Sequence, residues 1–516
     1  MPESCKSSFI LITVLSILCI VLLAFAFQGV RGIWQPDEGY YVGTALTMMK
    51  EGNLLIPKIG EDGAEIFLEK PPMLYWGIMA GLKALGQSEF GARAFNALCY
   101  CATALAVGAL SLSLFGDKRT AVASAVMYAT MVIPFVAANF ITPDTALTLW
   151  TTLAVLCFWK STMPDATRVR MWQLLMCVAV GLGFLTKGPA ALIPCGGMFA
   201  YLLVRRRVVQ FFITPWALVG IVIFCLIGLG WYVHVSLKVP GAASYFFDNE
   251  VWGRLVSPKY RRNPGLGGAL IYLPVILLGT LPWSGVWWEK RDYLRRTLLC
   301  RELWFGLPSY PRVLFLVCWF FVPMIILSVA SSKLGLYALP VFPALAIISA
   351  QLYREKIAVG LANLRLGVFT LWKPATLMAV WVVALMLAKV GIARYPTRND
   401  SRLLWNQLSG YLPRGDCEIV TIDEQVYGLL FYGAMETENT TMDERPYPMF
   451  TPPHPFSEEL RDIPTEGHHF AIVVEKESDA LRVEELLNGS QINYAKQLLP
   501  FTRSLFTIEE SNLDYE

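Results

Sequence analysis

Charge is scarce in this 516-residue chain, in which 16% of residues are charged and 55% are hydrophobic. The net charge of +3 is too small to indicate a nucleic-acid partner. The four histidines form no HExxH pair, no GxGxxG loop follows a predicted strand, and the GxxxxGK[ST] and GxSxG motifs are absent. The sequence therefore indicates no cofactor and no metal, although its carboxylates would make a catalytic metal possible.

Cysteine pairing is also absent, because the 11 cysteines include no CxxC spacing. Most of them lie within apolar stretches, where a cysteine is typical as a small buried hydrophobic residue. Only Cys417 falls in the polar C-terminal region, so that region cannot contain an internal disulfide.

Long apolar stretches are abundant in the chain. A mean hydropathy of +0.48, with 16 Trp and 29 Phe, predicts an α-helical polytopic membrane protein. We expect about 11–13 transmembrane helices, since a span needs roughly 17–25 apolar residues. The segment Met73–Leu85 is shorter, and its pattern is typical of an interfacial or re-entrant helix. The predicted spans are 8–28, 91–115, 120–140, 145–160, 172–187, 189–204, 212–235, 268–288, 313–331, 334–353 and 373–390.

Basic residues separate the loops into two sets, which predicts the orientation of the chain. Alternate loops carry clusters such as Lys118-Arg119 and Arg205-Arg206-Arg207, and we assign these loops to the cytoplasm. The loop 29–90 and the C-terminal tail then lie on the other side of a bacterial inner membrane. The residues with candidate chemistry share that side, away from cytoplasmic ATP and nucleotide sugars.

The composition changes near residue 391, which predicts two domains: a transmembrane domain over 1–390 and a small extracytoplasmic α/β domain over 391–516. The pattern of the tail predicts one helix near 478–487 and a long loop over 435–466. Its predicted strands are 418–422, 428–432, 469–474 and 504–508.

The outward loops hold charged residues at the ends of apolar spans, where a charge is usually paired or functional. Carboxylates there can orient or deprotonate an acceptor, and cations can bind a departing phosphate. The candidates are Asp37, Glu38, Glu69, Lys70, Asp144, Lys187, Glu250, Arg254, Lys333 and Tyr337.

Five of the candidates also have a specific structural interpretation. Lys187 and Lys333 can extend toward the interface simply to hydrate their charges. Glu250 and Arg254 are four residues apart and can form a helix-surface ion pair. Asp144 can cap a helix that begins at Thr145.

Six motifs in order along residues 8–390 resemble the aminoarabinose transferase branch of the protein O-mannosyltransferase (PMT) superfamily, whose members have the GT-C fold and use polyprenyl-phosphate sugars. They are Trp34-Gln35-Pro36-Asp37-Glu38 with Tyr41, Glu69-Lys70-Pro71-Pro72 with Tyr75-Trp76, Thr142-Pro143-Asp144, Leu185-Thr186-Lys187-Gly188-Pro189, Tyr245-Phe246-Phe247 with Glu250 and Arg254, and Ser331–Lys333 with Tyr337-Ala338-Leu339-Pro340.

The resemblance implies a role for each matching residue. Asp37 corresponds to the catalytic carboxylate, with Glu38 beside it, and Asp144 to a second external acidic residue. The remaining matches imply contacts to the donor or its phosphate: Glu69, Lys70, Tyr41, Lys187, Glu250, Arg254, Lys333 and Tyr337. Three positions differ, since Tyr40 stands where the family has a basic residue and Phe67-Leu68 replaces its Tyr-Phe.

The resemblance implies a glycosyltransferase that moves a sugar, such as 4-amino-4-deoxy-L-arabinose, from undecaprenyl phosphate to an extracytoplasmic acceptor. Lipid A or lipopolysaccharide is the expected acceptor. The lipid-linked donor is expected to lie in the membrane lipid. A protein acceptor is the alternative within the superfamily. A lipid-linked sugar transporter or flippase is the alternative from another class, but it predicts charges deep inside the spans rather than at their ends.

The charge asymmetry generates a direct prediction about topology. Reporter fusions placed after Gly60 and after Glu516 should both report the side opposite the cytoplasm, because the basic loops lie on the cytoplasmic side. A cytoplasmic signal from the C-terminal fusion would contradict the assignment, since it would require an even number of spans.

Overall fold

The chain divides into two compact units. The computed structural model describes residues 3–60, 65–163, 168–253, 263–301, 310–357, 372–412, 417–434, 436–443, 450–463 and 469–508. Unit 1 comprises Met1–Ala26 and Ala94–Lys389, and unit 2 comprises Phe27–Arg93 and Val390–Glu516. The second unit thus contains the predicted C-terminal domain together with the loop between the first apolar stretches. The two-domain division at 390 stays a prediction.

Unit 1 is an assembly of apolar helices. The helices that it contains wholly or in large part are Glu3–Phe25, Glu89–Phe115, Lys118–Thr130, Val132–Ala138, Pro143–Thr162, Val169–Lys187, Ile193–Val204, Val208–Phe212, Pro215–Phe224, Gly230–Lys238, Ala242–Tyr245, Gly265–Ala269, Tyr272–Gly279, Ser284–Glu289, Arg291–Leu299, Pro311–Val329, Phe342–Leu352 and Trp372–Arg394. Four 3-10 or π turns adjoin them: Gly188–Leu192, Cys225–Leu229, Phe246–Gly253 and Gly335–Val341.

Six of the described helical stretches are long and apolar enough to cross a bilayer, and the pair Lys118–Thr130 and Val132–Ala138, bent by 64°, makes a seventh when taken as one span. The predicted spans 172–187 and 189–204 form one 36-residue stretch. The other predicted spans fall on helices that are shorter or less apolar. The predicted class, a multi-pass helical membrane protein, is confirmed.

Aromatic side chains fill the core of unit 1. Phe315 and Trp319, on the helix Pro311–Val329, are fully buried, and Phe315 stacks on Phe158 with ring centroids 5.9 Å apart. The helix Ile193–Val204 approaches this helix at Gly197, where a Cβ would lie 2.9 Å from the Cα of Trp319. Glycine is required there because a side chain would force the two backbones apart.

Unit 2 contains a five-stranded mixed sheet and a two-stranded hairpin. The hairpin pairs β1 (Lys58–Ile59) with β2 (Glu65–Ile66). The sheet consists of β3 (Cys417–Ile422), β4 (Glu436–Thr440), β5 (His469–Val474), β6 (Ala495–Leu498) and β7 (Ser504–Ile508) in the order β4-β3-β5-β7-β6. Strand β3 is parallel to β4 and β5, and β7 is antiparallel to β5 and β6. The helices are Asp37–Glu51, Met73–Leu85, Ser401–Leu408, Leu429–Tyr432, Phe456–Asp462 and Glu477–Gly489.

The C-terminal predictions have a mixed outcome. The strands near 418–422, 469–474 and 504–508 and the helix near 478–487 are confirmed. The strand over 428–432 is wrong, because Leu429–Tyr432 is a turn of helix whose Leu429 and Phe431 are buried. The segment 435–466 is not a long loop, since its described part contains β4 and the helix Phe456–Asp462. Strand β4 was missed because its sequence, Glu-Thr-Glu-Asn-Thr, has little strand propensity of its own and depends on pairing with β3.

Within unit 2, backbone pairing fixes the segment that precedes Asp37. The Gln35 N–H donates to the Asn399 carbonyl at 2.8 Å, and the Ser401 N–H donates to the Ile33 carbonyl at 2.9 Å. The Gln35 side-chain amide adds a 2.6 Å hydrogen bond to the Ser401 hydroxyl. The segment before the helix Asp37–Glu51 is therefore held by both backbone and side-chain hydrogen bonds.

That helix also lies close to the chain at Gly428. A Cβ at Gly39 would meet the Gly428 backbone nitrogen at 2.9 Å, so the glycine after Glu38 permits the approach.

Candidate functional site

Glu38 lies at the centre of a buried ion cluster in unit 2. Its carboxylate is 2% exposed and receives both terminal nitrogens of Arg31, each at 2.8 Å. Arg93 donates to the same carboxylate from Nε at 3.2 Å and from Nη2 at 3.0 Å. The Trp34 backbone N–H adds a bond of 3.0 Å. Two guanidinium groups in this fork geometry neutralise the buried charge and fix its orientation.

Arg93 connects the cluster to the backbone of the preceding loop. Its terminal nitrogens donate to the carbonyls of Gln28, Arg31 and Gly32 at 2.8, 2.7 and 2.6 Å. The Arg31 guanidinium lies 4.4 Å from the centre of the Trp34 ring. The cluster thus fixes the path of the chain into the helix Asp37–Glu51.

The protonation of Glu38 follows from these contacts. Burial alone raises the pKa of a carboxyl group, but the opposite charges of Arg31 and Arg93 and their hydrogen bonds lower the pKa of Glu38 to about 2. Glu38 is therefore ionised at neutral pH and its oxygens are occupied. Although the sequence pattern grouped it with catalytic residues, this geometry suits a positioning role.

Asp37 has the opposite setting. It is the first residue of its helix, its side chain is exposed, and within the described part of the chain it makes no hydrogen bond or ion pair. A carboxylate at a helix N-terminus is favoured by the helix dipole. Of the two adjacent carboxylates, Asp37 is thus the one that is accessible to an acceptor.

The Glu69-Lys70 pair is half-buried at the start of the helix Met73–Leu85. The Lys70 ammonium donates to the Glu69 carbonyl at 2.9 Å and lies 4.0 Å from its carboxylate. Pro72 precedes the helix. At 13 residues, or about 20 Å, this helix is too short to span a bilayer.

Tyr40 and Phe67, which both differ from the family motifs, contact each other. Tyr40 stacks on Phe67 with ring centroids 4.8 Å apart, and it also packs against Tyr427 at 5.1 Å. Tyr41 is buried as well, and the centroid of its ring lies 6.3 Å from that of Tyr75. An aromatic side chain thus stands in place of a basic residue, and it contacts Phe67, which itself stands in place of a tyrosine.

Unit 1 holds a second set of candidates. The Lys187 ammonium bridges both oxygens of Asp144, at 2.6 and 2.7 Å, and lies 4.4 Å from the centre of the Tyr337 ring. Asp144 is in the first turn of its helix and Lys187 is the last residue of the neighbouring helix. Each charge lies at the helix end where the dipole favours it. The structure thus joins three candidates that the sequence separates, and Lys187 does more than reach for solvent.

Among the candidates that the structure describes, Lys333 is the most buried cation, at 2% exposure. It forms no ion pair with any described side chain. Its backbone carbonyl accepts a hydrogen bond from the Asn263 side chain at 3.0 Å. A buried ammonium without a carboxylate partner is costly, and binding of an anion would offset that cost.

Two candidates cannot be placed. Arg254 and the side chain of Glu250 lie outside the described residues, so their roles stay predictions. Sequence reasoning missed Arg31 and Arg93, which hold Glu38. The available signal was Arg93 itself, a charged residue at the start of an otherwise apolar helix.

The chain is similar to a group of known enzymes. A family model described as dolichyl-phosphate-mannose-protein mannosyltransferase matches residues 9–246. An undecaprenyl phosphate-alpha-4-amino-4-deoxy-L-arabinose arabinosyl transferase from Erwinia tasmaniensis is 30% identical over 72% of this chain and 65% of the relative. The protein of the same name from Photorhabdus laumondii is 28% identical over 62% of this chain and 55% of the relative. In both alignments the chain spans less than two thirds of the relative's length.

The fold is similar to the crystal structure of ArnT from Cupriavidus metallidurans bound to undecaprenyl phosphate. The TM-score is 0.76 at 19% identity, over 99% of this chain and 100% of that one. This likeness confirms the predicted GT-C fold.

The ion cluster generates a prediction about stability. Glu38→Gln keeps the shape of the side chain but leaves two buried guanidinium groups without their countercharge, so we expect a loss of about 3–5 kcal/mol of unfolding free energy. Glu51→Gln is the matched control, because its partner Lys58 is 3.3 Å away and partly exposed. That change should cost about 1 kcal/mol or less. Denaturant titration of the detergent-purified proteins checks both values, and equal stability of the two variants would contradict the role of Glu38.

Proposed function

The chain belongs to the aminoarabinose transferase-like branch of the PMT superfamily, and from that premise we propose that it transfers a sugar from undecaprenyl phosphate to an acceptor. The observation that carries the proposal is the pair Asp37 and Glu38. One carboxylate is held between two arginines, while its neighbour is exposed and makes no hydrogen bond or ion pair within the described chain. Such a pair presents a single oriented carboxylate to an incoming group.

The reaction breaks the bond between the anomeric carbon of the sugar and the phosphate oxygen. The acceptor attacks from the face opposite the phosphate, so the anomeric centre is inverted and undecaprenyl phosphate departs as an anion. The departing phosphate needs no protonation when cations neutralise its charge. Asp37 therefore acts on the acceptor side. It removes a proton from a hydroxyl acceptor, or orients an acceptor that is already anionic, such as a lipid A phosphate.

Lys333 is the leading candidate to hold the donor phosphate. It supplies a buried positive charge that no described carboxylate neutralises. Lys187 is a weaker candidate for a direct contact, because Asp144 already occupies its ammonium. Asp144 and Tyr337 then position Lys187. Lys70 and Arg254 remain proposed contacts on the basis of the resemblance.

The protein is a multi-pass inner-membrane protein, and we place its active site on the periplasmic side. The basic residues of the alternate loops support this orientation. Undecaprenyl-phosphate sugars and lipid A are both available there, whereas nucleotide sugars are not.

A protein acceptor is the second candidate. The name of the matching family model specifies transfer to protein, and Tyr40, which stacks on Phe67, stands where the family has a basic residue. A basic side chain suits a phosphorylated acceptor, so its replacement favours a less acidic one.

Asp37 gives the direct test of the mechanism. Asp37→Asn should nearly abolish transfer by the purified protein, while binding of undecaprenyl phosphate stays at the wild-type level. Asp292→Asn is the control, since Asp292 is also exposed in the first turn of a helix. Near-normal turnover by Asp37→Asn would remove Asp37 from the mechanism and leave Asp144 as the leading carboxylate.

Lys333 gives the test of donor binding. Lys333→Met keeps the apolar stem and removes the charge, so the loss of one charge-assisted contact should weaken binding of undecaprenyl phosphate by about 1.5–3 kcal/mol. This corresponds to about one to two orders of magnitude in the dissociation constant. Lys356→Met is the control, because Lys356 is exposed and pairs with Glu289.

Wild-type donor affinity in folded Lys333→Met protein would contradict the phosphate site. Lys187→Met with Lys333→Met then tests whether the two lysines contact one group, because only residues that share a ligand give non-additive losses.

A further inference from the structure

A second group of ionisable side chains lies in unit 2, apart from the residues used above. Glu438, His454 and Glu459 bring their ligand atoms within 4.8 Å of one another. The His454 Nε2 atom lies 3.1 Å from the Glu438 Oε1 atom and 3.1 Å from the Glu459 Oε2 atom. A ring nitrogen carries at most one hydrogen, yet here one nitrogen faces two carboxylates. This arrangement is also that of three ligand atoms around a shared cation.

Each of the three residues is held by backbone structure. Glu438 is on the edge strand β4, where it pairs in register with Val420 of β3, a core residue. The Thr441 N–H donates to the His454 carbonyl at 3.0 Å, and the Phe456 N–H donates back to the Thr441 carbonyl at 2.9 Å. This connection fixes the histidine at the end of β4.

Glu459 comes from the helix Phe456–Asp462, and its side chain is 5% exposed. Phe456 and Leu460 of the same helix pack in the core with Val420. The helix is therefore anchored against the face of the sheet that carries Glu438, so the three ligand atoms meet without a rearrangement of the backbone.

The cluster carries more negative charge than its one histidine can balance. Glu65 lies beside the cluster and contributes no positive charge to it. Its carboxylate accepts a 2.8 Å hydrogen bond from the Tyr427 hydroxyl. None of Glu65, Glu438 and Glu459 forms an ion pair with a lysine or arginine of the described chain. A bound cation would offset this crowding.

We propose that Glu438, His454 and Glu459 bind a divalent transition-metal ion, and that the ion is Zn²⁺. One imidazole and two carboxylates are a borderline ligand set that suits Zn²⁺ better than Mg²⁺, which prefers oxygen ligands and retains its waters. Two ligand atoms of a tetrahedral Zn²⁺ are about 3.3 Å apart, close to the two 3.1 Å distances observed. The site joins β4 to the segment after it and is independent of the transferase proposal.

An arrangement without metal is the competing explanation. A protonated His454 would then share its hydrogen between the two carboxylates, and inward-facing charges on β4 would serve only to discourage edge-to-edge pairing. That explanation predicts no specific affinity for Zn²⁺, so metal binding separates the two.

The test uses the full-length protein in detergent after removal of metals with EDTA. Calorimetric titration with ZnCl₂ should show one equivalent that Glu438→Gln and His454→Gln lose or bind at least about tenfold more weakly, because even second-shell changes cost that much. Glu484→Gln, in the exposed ion pair with Lys496, and His469→Gln are the matched controls and should bind as the wild type does. MgCl₂ should not compete.

X-ray absorption of the wild-type protein loaded with one equivalent of Zn²⁺ provides a readout that needs no variant to fold. The expected first shell contains one imidazole nitrogen with oxygen ligands. A shell without imidazole, or Zn²⁺ binding that is unchanged in folded Glu438→Gln and His454→Gln proteins, would overturn the proposal.

Discussion

The segment that leads into the helix Asp37–Glu51 depends on the burial of one carboxylate between two guanidinium groups. An isolated buried charge is prohibitively costly, so Glu38 lies where it does only because Arg31 and Arg93 neutralise it and satisfy its oxygens. The hydrogen bonds of Arg93 to three backbone carbonyls extend that constraint to the loop. The helix then starts at a defined place, with Asp37 exposed. The ion cluster thus fixes the position of the exposed carboxylate for which we propose the catalytic role.

Unit 1 handles its charges in two ways. Lys187 and Asp144 neutralise each other at the ends of neighbouring helices, beneath the ring of Tyr337. Lys333 is more deeply buried and has no described countercharge. This difference underlies our proposal that Lys333, rather than the paired Lys187, contacts the phosphate of the donor.

Much of the fold and part of the candidate site can be predicted from the sequence, and the wrong predictions have physical causes. Apolar length identifies membrane helices because lipid imposes a length and composition on them. The motifs selected Asp37, Lys187 and Lys333, but they gave Glu38 the same standing as Asp37, since roles depend on partners that are distant in the chain. The pairing of Lys187 with Asp144 is such a case, because 43 residues separate them. In the C-terminal region, burial rather than propensity decided between strand and helix at Leu429–Tyr432.

Mass spectrometry of lipid A and of envelope proteins, from cells with and without the gene, tests the central claim most directly. Cells that carry the gene should show a sugar-sized mass increase on an envelope acceptor, and the increase should disappear without the gene or with Asp37→Asn in its place. An increase on lipid A identifies a lipid acceptor, and an increase on a protein identifies the alternative within the superfamily. Identical spectra from cells with and without the expressed gene would contradict the claim of glycosyl transfer.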